Sequence, residues 1–505
     1  MLKRLASDTA IYGLPSIVGR ALNFLLVPLY TRIFSEAEYG TVSLLYSIIP
    51  VVMVLLVFRL ETAYFRFGTR EMEQQRAFHA VWRVLLVSTP LALGIIALFA
   101  PALAEWLLGA AELRYLIYLS VGILFFDVLS ELPFARLRLL GRARTFAGIR
   151  MVNILLNIGI NVFFLIGCRQ VPALAELAGP LYDPAFGIGY IFVANLVAAA
   201  VTLLLLLWTL RTTPGGVGAV LDAPKESVAE MPVGGFNLPD LRPMLRYAAP
   251  LVVAGLAGIV NEVVDRLLLN FLLPLDAEAA KAEVGIYSAV YKLSIFLTLI
   301  TQAYRYAAEP IFFKQSQRAD ATRTYADMAE YFCLVGTFAF LVISLFLPLF
   351  GLFIGEKFRV GLPIVPVLLL ANLFLGLYYN VSVWFKVTDR TKYGALIAVA
   401  GAAVTIGLNV LLIPSISYLG SAWATFACYA VMLVLGYALG QRFYPVPYAL
   451  GRMLGYVGSA VAIFGWLRWW GSAGPFHSFA IVGLILWAVI AAVIFRRGNH
   501  AASRG

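Results

Sequence analysis

The chain holds 505 residues, 62% of them hydrophobic and only 13% charged, with a formal net charge of +11. A soluble domain carries about 25% charged residues, so this composition excludes a soluble globular protein. Apolar stretches of about twenty residues, each able to cross roughly 30 Å of hydrocarbon as a helix, recur along the whole length and predict an all-α integral membrane protein with about fourteen transmembrane helices.

In chain order, the first six spans are expected near 9–30, 41–60, 80–100, 115–135, 147–167 and 187–210, forming an N-lobe over 1–210. Residues 211–246 (RTTPGGVGAVLDAPKESVAEMPVGGFNLPDLRPMLR) interrupt the apolar pattern with Gly, Pro and mixed charges, which marks a linker. Spans near 247–271, 285–304, 330–353, 361–384, 394–413 and 418–440 make a C-lobe over 247–441. Two further spans, 453–470 and 478–495, lie with the tail in 442–505. The start, MLKRLASDTA, has a basic tip, but the apolar run continues to about Tyr30 with no small-residue cleavage site, so it is expected to stay as the first helix.

Lys and Arg gather in the segments on the N-terminal side of the membrane. The opposite loops hold only Arg32, Arg114, Arg169, Lys281, Lys357, Arg359 and Arg468. The positive-inside rule then places both termini in the cytoplasm. The net charge reflects this bias, with attraction to membrane lipid head groups, and gives no argument for nucleic acid. Cys168, Cys333 and Cys428 sit in or beside spans and form neither a disulfide framework nor a metal spacing. The histidines, His79, His477 and His500, are scattered. No cofactor is expected. The coupling ion, proton or sodium, is left open.

The two halves repeat. AEYGTVSLLYSI at 37–48 returns as AEVGIYSAVYKL at 282–293, and GINV at 159–162 as GLNV at 407–410. Arg138, Arg142 and Arg144 recur as Lys386, Arg390 and Lys392, and Tyr12 and Pro15 as Tyr247 and Pro250. The spacing between copies changes only where a loop absorbs the difference. Each half has an even number of spans, so both copies enter the membrane from the same side, as parallel repeats do.

Ionisable groups inside spans are costly and therefore mark function or a structural pair. Arg20 lies about eleven residues into the first helix, roughly 16 Å deep at 1.5 Å per residue, where it needs a wet cavity, a carboxylate or an anionic ligand. The stretch NEVVDRLLLN at 261–270 carries Glu262 and Arg266 four apart on one helical face, beside Asn261 and Asp265. Self-neutralisation of Glu262 by Arg266 competes there with a binding, coupling or gating role, and Lys292 lies at a depth where it meets Glu262. Asp127 and Glu131 are also four apart and suit a proton carrier or a pairing with Arg20 or Arg59. Arg59 and Glu61 are expected at the membrane edge. Asn153, Asn157 and Asn161 form a stripe on the fifth span, suited to helix–helix hydrogen bonds or to sugar hydroxyls. A phosphate-binding GxxxxGK[ST] loop is absent, and the loops are too short to hold the catalytic acids of a membrane glycosyltransferase, so an enzyme is disfavoured.

PLYTRIFSEAEYGTVSLLYS at 28–47, LRYAAPLVVAGLAGIVNEVVDRLLL at 245–269 and EVGIYSAVYKL at 283–293 resemble the bacterial polysaccharide-exporter and oligosaccharide-flippase family. That family shares a superfamily with multidrug/toxin extrusion transporters and lipid II flippases. The resemblance implies a V-shaped transporter of two six-helix lobes plus two helices in the bacterial inner membrane. It further implies alternating-access transfer of an undecaprenyl-pyrophosphate-linked oligosaccharide to the outer leaflet, beside polysaccharide-assembly enzymes. Arg20, Arg266 and Lys292, with the three asparagines, are the head-group candidates from their depth alone. Asp127, Glu131, Glu262 and Asp265 are the coupling or gating candidates. The alternatives are an ion-coupled multidrug or small-molecule extruder and a lipid II-type flippase. The AEYG and AEVG corners read as architecture.

Overall fold

With no water available in hydrocarbon, each backbone N–H and C=O of a spanning segment must be satisfied inside that segment, which leaves the helix as the local solution for such apolar runs. The computed structural model describes Gly19, Leu22 and residues 24–67, 71–212, 238–315, 318, 320–470 and 476–502. Within these, the backbone alone is described at 71–74, 76, 238–240, 306–307, 309–310, 313–315, 470, 476–479 and 497–502. Most of the first expected span, with Arg20, Tyr12 and Pro15, and residues 213–237 of the expected linker lie outside the described residues.

The first half contains α1 (Val27–Ile33), α2 (Glu36–Val57), α3 (Leu60–Phe67), α4 (Glu71–Leu98), α5 (Ala100–Leu108), α6 (Arg114–Leu139), α7 (Ala143–Val162) and α8 (Gly189–Thr212). The second contains α9 (Leu238–Leu272), α10 (Ala277–Tyr291), α11 (Ile295–Gln315), α12 (Ala321–Leu345), α13 (Val365–Val381), α14 (Val383–Val387), α15 (Lys392–Phe443), α16 (Leu450–Trp470) and α17 (Phe476–Ala502). No strand occurs among the described residues, and 11 helical runs there are long and apolar enough to cross a membrane. One of them, the 52-residue α15, breaks at Ile416 and at Ser417, whose φ is 50°, where the sequence places a turn at 414–417. A shorter apolar stretch, Ala480–Arg496, lies within α17.

Several expected spans are built in pieces. The second ends in two consecutive left-handed residues, Phe58 and Arg59 (φ 51° and 53°), before α3 begins. The eighth is divided by a 3-10 turn at Lys292–Ser294. Helix α13 is preceded by a 3-10 stretch at Glu356–Ile364. Left-handed backbone costs a non-glycine residue roughly 1–2 kcal/mol, so a propensity reading extends helix straight through such breaks.

The chain forms two compact units, neither of them one continuous stretch. Unit 1 comprises 1–26, 41–259 and 277–281, and unit 2 comprises 27–40, 260–276 and 282–505. The core of unit 1 joins Tyr64, Phe78, Val81, Val128, Leu132, Phe134, Leu206 and Met244 from α3, α4, α6, α8 and α9. In unit 2, Tyr378 and Val381 of α13 pack with Ile397, Cys428, Tyr429 and Met432 of α15. The last two helices dock on α12 through a buried polar lock. Arg452 of α16 meets Glu330 at 2.7 Å, the Tyr456 hydroxyl donates to Glu330 at 3.0 Å, and the Trp487 indole N–H donates to the Tyr456 carbonyl at 3.1 Å.

The repeated strings meet inside unit 2. A Cβ added to Gly285 would lie 2.0 Å from the Glu36 carbonyl oxygen and 3.0 Å from the Gly40 nitrogen, so the AEVG glycine lets one corner ride on the backbone of the other. The two glutamates do different local work. Glu38 accepts from the Ser35 backbone N–H at 2.8 Å and from its hydroxyl at 2.9 Å, while Ser35 Oγ accepts from the Glu38 N–H at 3.2 Å, a capping box that starts α2. Glu283 instead accepts from the hydroxyl of Ser417 at the α15 break. The other repeat also survives in side chains. Asn161 and Asn409 are both fully buried, and each amide donates back to the carbonyl four residues earlier, at 2.8 and 2.7 Å.

Because the Glu36 backbone cannot yield as a flexible side chain would, Gly285→Ala is expected to destabilise the protein by about 1–3 kcal/mol. Gly407→Ala, where an added Cβ meets nothing within 4 Å, is expected to be neutral or stabilising. Thermal unfolding of both variants in one detergent checks the contrast.

Candidate functional site

Polar side chains within the spans of unit 1 gather where α3, α6 and α7 approach. Glu131 of α6 lies 3.9 Å from the Arg150 guanidinium of α7, and Arg150 also sits 4.0 Å from the centre of the Phe134 ring. Glu131 is within electrostatic reach of Glu61, Arg138 and Arg59 as well, and Asp127, one turn along, is within reach of Arg150 and Glu131. Arg59 pairs with Glu61 at 3.7 Å, directly after the left-handed break, and its guanidinium fills the space over Gly255 of α9, where an added Cβ would lie 2.6 Å from Nη2. Three acids and three bases thus share one region. Asp127 and Glu131 are half-buried, so both keep a face to the exterior of the unit.

The asparagine stripe on α7 is not used uniformly. Asn153 is half-buried and donates to Thr202 Oγ of α8 at 2.8 Å. Asn157 is half-buried and accepts from Asn161 at 3.3 Å through its side-chain oxygen. Asn161 is enclosed and turns back on its own helix, leaving no face for a ligand. A separate amide, Asn195 of α8, donates to the Tyr46 hydroxyl at 3.0 Å, and Tyr46 stacks on Phe192.

In unit 2 the expected i, i+4 pairing of Arg266 with Glu262 is replaced by a tighter arrangement. Arg266 Nη1 meets Asp265 Oδ1 at 3.1 Å and donates to the Glu262 carbonyl at 2.9 Å, while the Glu262 side chain is exposed. The reason lies in the α10 side chains. The Tyr287 hydroxyl donates to the other Asp265 oxygen, and the Arg266 guanidinium lies over the rings of Tyr291 and Tyr287 at 4.7 and 5.6 Å from their centres. Two aromatic faces and one phenol therefore select the adjacent carboxylate. Asn261 donates to the Ala398 carbonyl at 3.1 Å, and the Tyr429 hydroxyl donates to the Asn261 carbonyl at 3.5 Å. Lys292 is exposed at the 3-10 turn that follows Tyr291.

The structure thus joins Asp127 with Glu131 in one unit and Asp265 with Arg266 in the other. Arg20 lies outside the described residues. Arg150, Tyr287 and Tyr291 were not singled out as site residues in the sequence. Arg150 stands at the start of a span, where it reads as an interfacial charge, and both tyrosines lie inside the repeated string itself. Arg136, near the end of α6, likewise reads in the sequence as an interfacial charge. It is buried, donates to the Tyr64 hydroxyl at 3.1 Å and lies 5.2 Å from the centre of the Phe78 ring.

An all-helical multi-pass membrane protein with charged groups matched inside its spans is the class these features define. The family described as polysaccharide biosynthesis protein matches residues 5–316, and the chain belongs to that family. No curated protein matches the sequence. Among solved structures, the lipid II flippase MurJ in an inward closed conformation is similar over 97% of this chain and 99% of its own, with TM-score 0.70 and 13% identity. The MATE multidrug transporter DinF-BH is similar over 88% and 96%, with TM-score 0.60 and 17% identity. A MOP superfamily transporter from Pyrococcus furiosus is similar over 86% and 95%, with TM-score 0.55 and 15% identity. At these identities the likeness establishes the fold.

Removing one member of a buried pair leaves the other charge uncompensated, so Asp265→Ala is expected to cost about 3–5 kcal/mol. Glu262→Gln, at an exposed carboxylate, is expected to stay within about 0.5 kcal/mol. Equal losses in thermal unfolding would contradict the assignment of Asp265 as the partner of Arg266.

Proposed function

We propose that the chain is a flippase that carries an undecaprenyl-pyrophosphate-linked oligosaccharide from the cytoplasmic to the outer leaflet of the bacterial inner membrane by alternating access, supplying surface polysaccharide synthesis. One observation carries the reading: membership of a polysaccharide biosynthesis family in a chain folded, nearly end to end, like a lipid-carrying transporter. The chemical task fits the residues. A pyrophosphate and its sugars must cross hydrocarbon, where an uncompensated charge is costly, while the prenyl tail stays in lipid. Cations inside the spans offset the desolvation of the pyrophosphate, and amides replace water on sugar hydroxyls.

Arg20 and Lys292 are the proposed pyrophosphate contacts, and Asn153 and Asn157 the proposed sugar contacts. Arg266 joins them by exchanging Asp265 for the phosphate. Asp127 and Glu131 are proposed to carry the coupling cation, since the two carboxylates lie within electrostatic reach of each other and each keeps a face to the exterior of the unit.

Native mass spectrometry of the purified protein supplied with a polyprenyl-pyrophosphate oligosaccharide tests the binding half. The lipid is expected to be retained by the wild type and reduced at least about tenfold in Arg20→Ala and Lys292→Ala, a change equivalent to about 1.4 kcal/mol. Binding of organic cations with no retention of the lipid would favour an ion-coupled extruder instead. For the coupling half, Asp127→Asn is expected to keep lipid retention but lose any dependence of transport on a proton or sodium gradient across proteoliposomes. Unchanged gradient dependence would remove Asp127 from that role.

A further inference from the structure

Unit 2 contains a charged concavity that the transport reading does not use. A cavity of about 610 Å³, the size of a small-ligand site, is lined by Asp389, Arg390, Thr391, Lys392 and Tyr393 in the turn between α14 and α15. The spanning segments on either side end at Val387 and begin at Lys392, so this turn lies at the membrane edge. The one aromatic ring in its lining, Tyr393, belongs to a cluster packed beside the turn. Trp384 stacks on Phe443 with ring centres 5.7 Å apart, Tyr393 lies 5.0 Å from Phe443, and the Trp384 indole N–H is tied to the Gly436 carbonyl at 3.0 Å. The guanidinium of Arg390, an exposed residue, lies 4.5 Å from the centre of the Phe443 ring, a contact that occupies none of its N–H donors. Arg442 also approaches Phe443, at 5.7 Å.

The repeat isolates what is special here. Unit 1 contains the same turn, with the Arg142 N–H donating to the Leu137 carbonyl at 3.0 Å around Gly141 at φ 67°. In unit 2 the Arg390 N–H donates to the Phe385 carbonyl at 2.8 Å around Asp389 at φ 56°. Glycine is the natural occupant of that left-handed position at a helix end, so the turn itself does not require the carboxylate. The bases on the turn are common to both copies: Arg142 and Arg144 in one, Arg390 and Lys392 in the other. The acid is peculiar to unit 2, and it is exposed beside two exposed bases.

We propose that this turn is a binding site for a phosphoethanolamine group, in which Arg390 and Lys392 hold the phosphate and Asp389 holds the primary ammonium. A cation pair alone would take any phosphate, and the single carboxylate adds a requirement for a charged amine with N–H donors. At the edge of a spanning segment, with the Tyr393 ring in its lining, a phosphatidylethanolamine head group is the source such a site meets. A soluble phosphoethanolamine ester shares the chemistry.

The 505-residue chain in nanodiscs containing equal amounts of phosphatidylethanolamine and phosphatidylglycerol is examined by native mass spectrometry, reading the ratio of the last lipids retained. The wild type is expected to favour phosphatidylethanolamine. Asp389→Gly, which keeps the turn as Gly141 does and is expected to melt no lower than wild type, should cut that preference about five- to tenfold. The double variant Arg390→Gln/Lys392→Gln should lose retention of both lipids at this site. A parallel titration with O-phosphoethanolamine in phosphatidylcholine nanodiscs separates the sources. Selectivity in the lipid arm alone assigns the lipid, binding in the soluble arm alone assigns a small ester, and selectivity in neither overturns the site. An unaltered lipid ratio in a folded Asp389→Gly protein also overturns it. Retention of the proposed transport substrate is untouched by either result, so this site and the transport reading fail independently.

Discussion

A charge inside hydrocarbon must be neutralised within reach of its own side chain, and in this chain the partner is set by aromatic packing. Arg266 has two carboxylates within a turn of it. The ring faces of Tyr287 and Tyr291 position the guanidinium, and the Tyr287 hydroxyl takes one oxygen of Asp265, so the neighbouring acid becomes the partner and Glu262 is left at the surface. The same logic holds Arg150 against Phe134 while it meets Glu131, and Arg136 against Phe78 while it donates to Tyr64. Removing an aromatic neighbour therefore redistributes charge as well as volume.

Duplication supplies the second constraint. The AEYG and AEVG strings are the same corner written twice, and within unit 2 Gly285 lets one backbone rest on the other. Once that approach is fixed, the flanking residues diverge. One glutamate caps the start of α2, and its counterpart restrains the break in α15. The basic turns after α6 and α14 follow the same course, with the same hydrogen-bond pattern and a glycine in one exchanged for an aspartate in the other.

Much of this architecture was legible in the sequence because hydrophobic run length is a direct consequence of bilayer thickness. The helical class, most of the described spans and the turn near 414–417 follow from it. The interruptions did not, since Phe58 and Arg59 carry no glycine or proline to mark a left-handed pair, and Lys292 lies inside a stretch that reads as continuous helix. Site residues were legible as types rather than as pairs. Asp127, Glu131, Asp265 and Arg266 stand out by depth, but periodicity alone pairs Arg266 with Glu262 and cannot see the tyrosines of a different helix. Asn161 shows the opposite case, since its place in a polar stripe suggests a ligand surface, whereas its amide is consumed by its own backbone.

The claim on which the account rests is transport of a prenyl-pyrophosphate saccharide, and leaflet transfer measures it most directly. The purified protein would be reconstituted into liposomes carrying a fluorescent polyprenyl-pyrophosphate oligosaccharide, with the fraction exposed to an external glycosidase followed over time. The account predicts a protein-dependent rise of the digestible fraction beyond the share held in the outer leaflet, with the mass of the lipid unchanged when the glycosidase is left out. Exposure no faster than in empty liposomes, from a folded protein that instead moves organic cations across the same membrane, would contradict it.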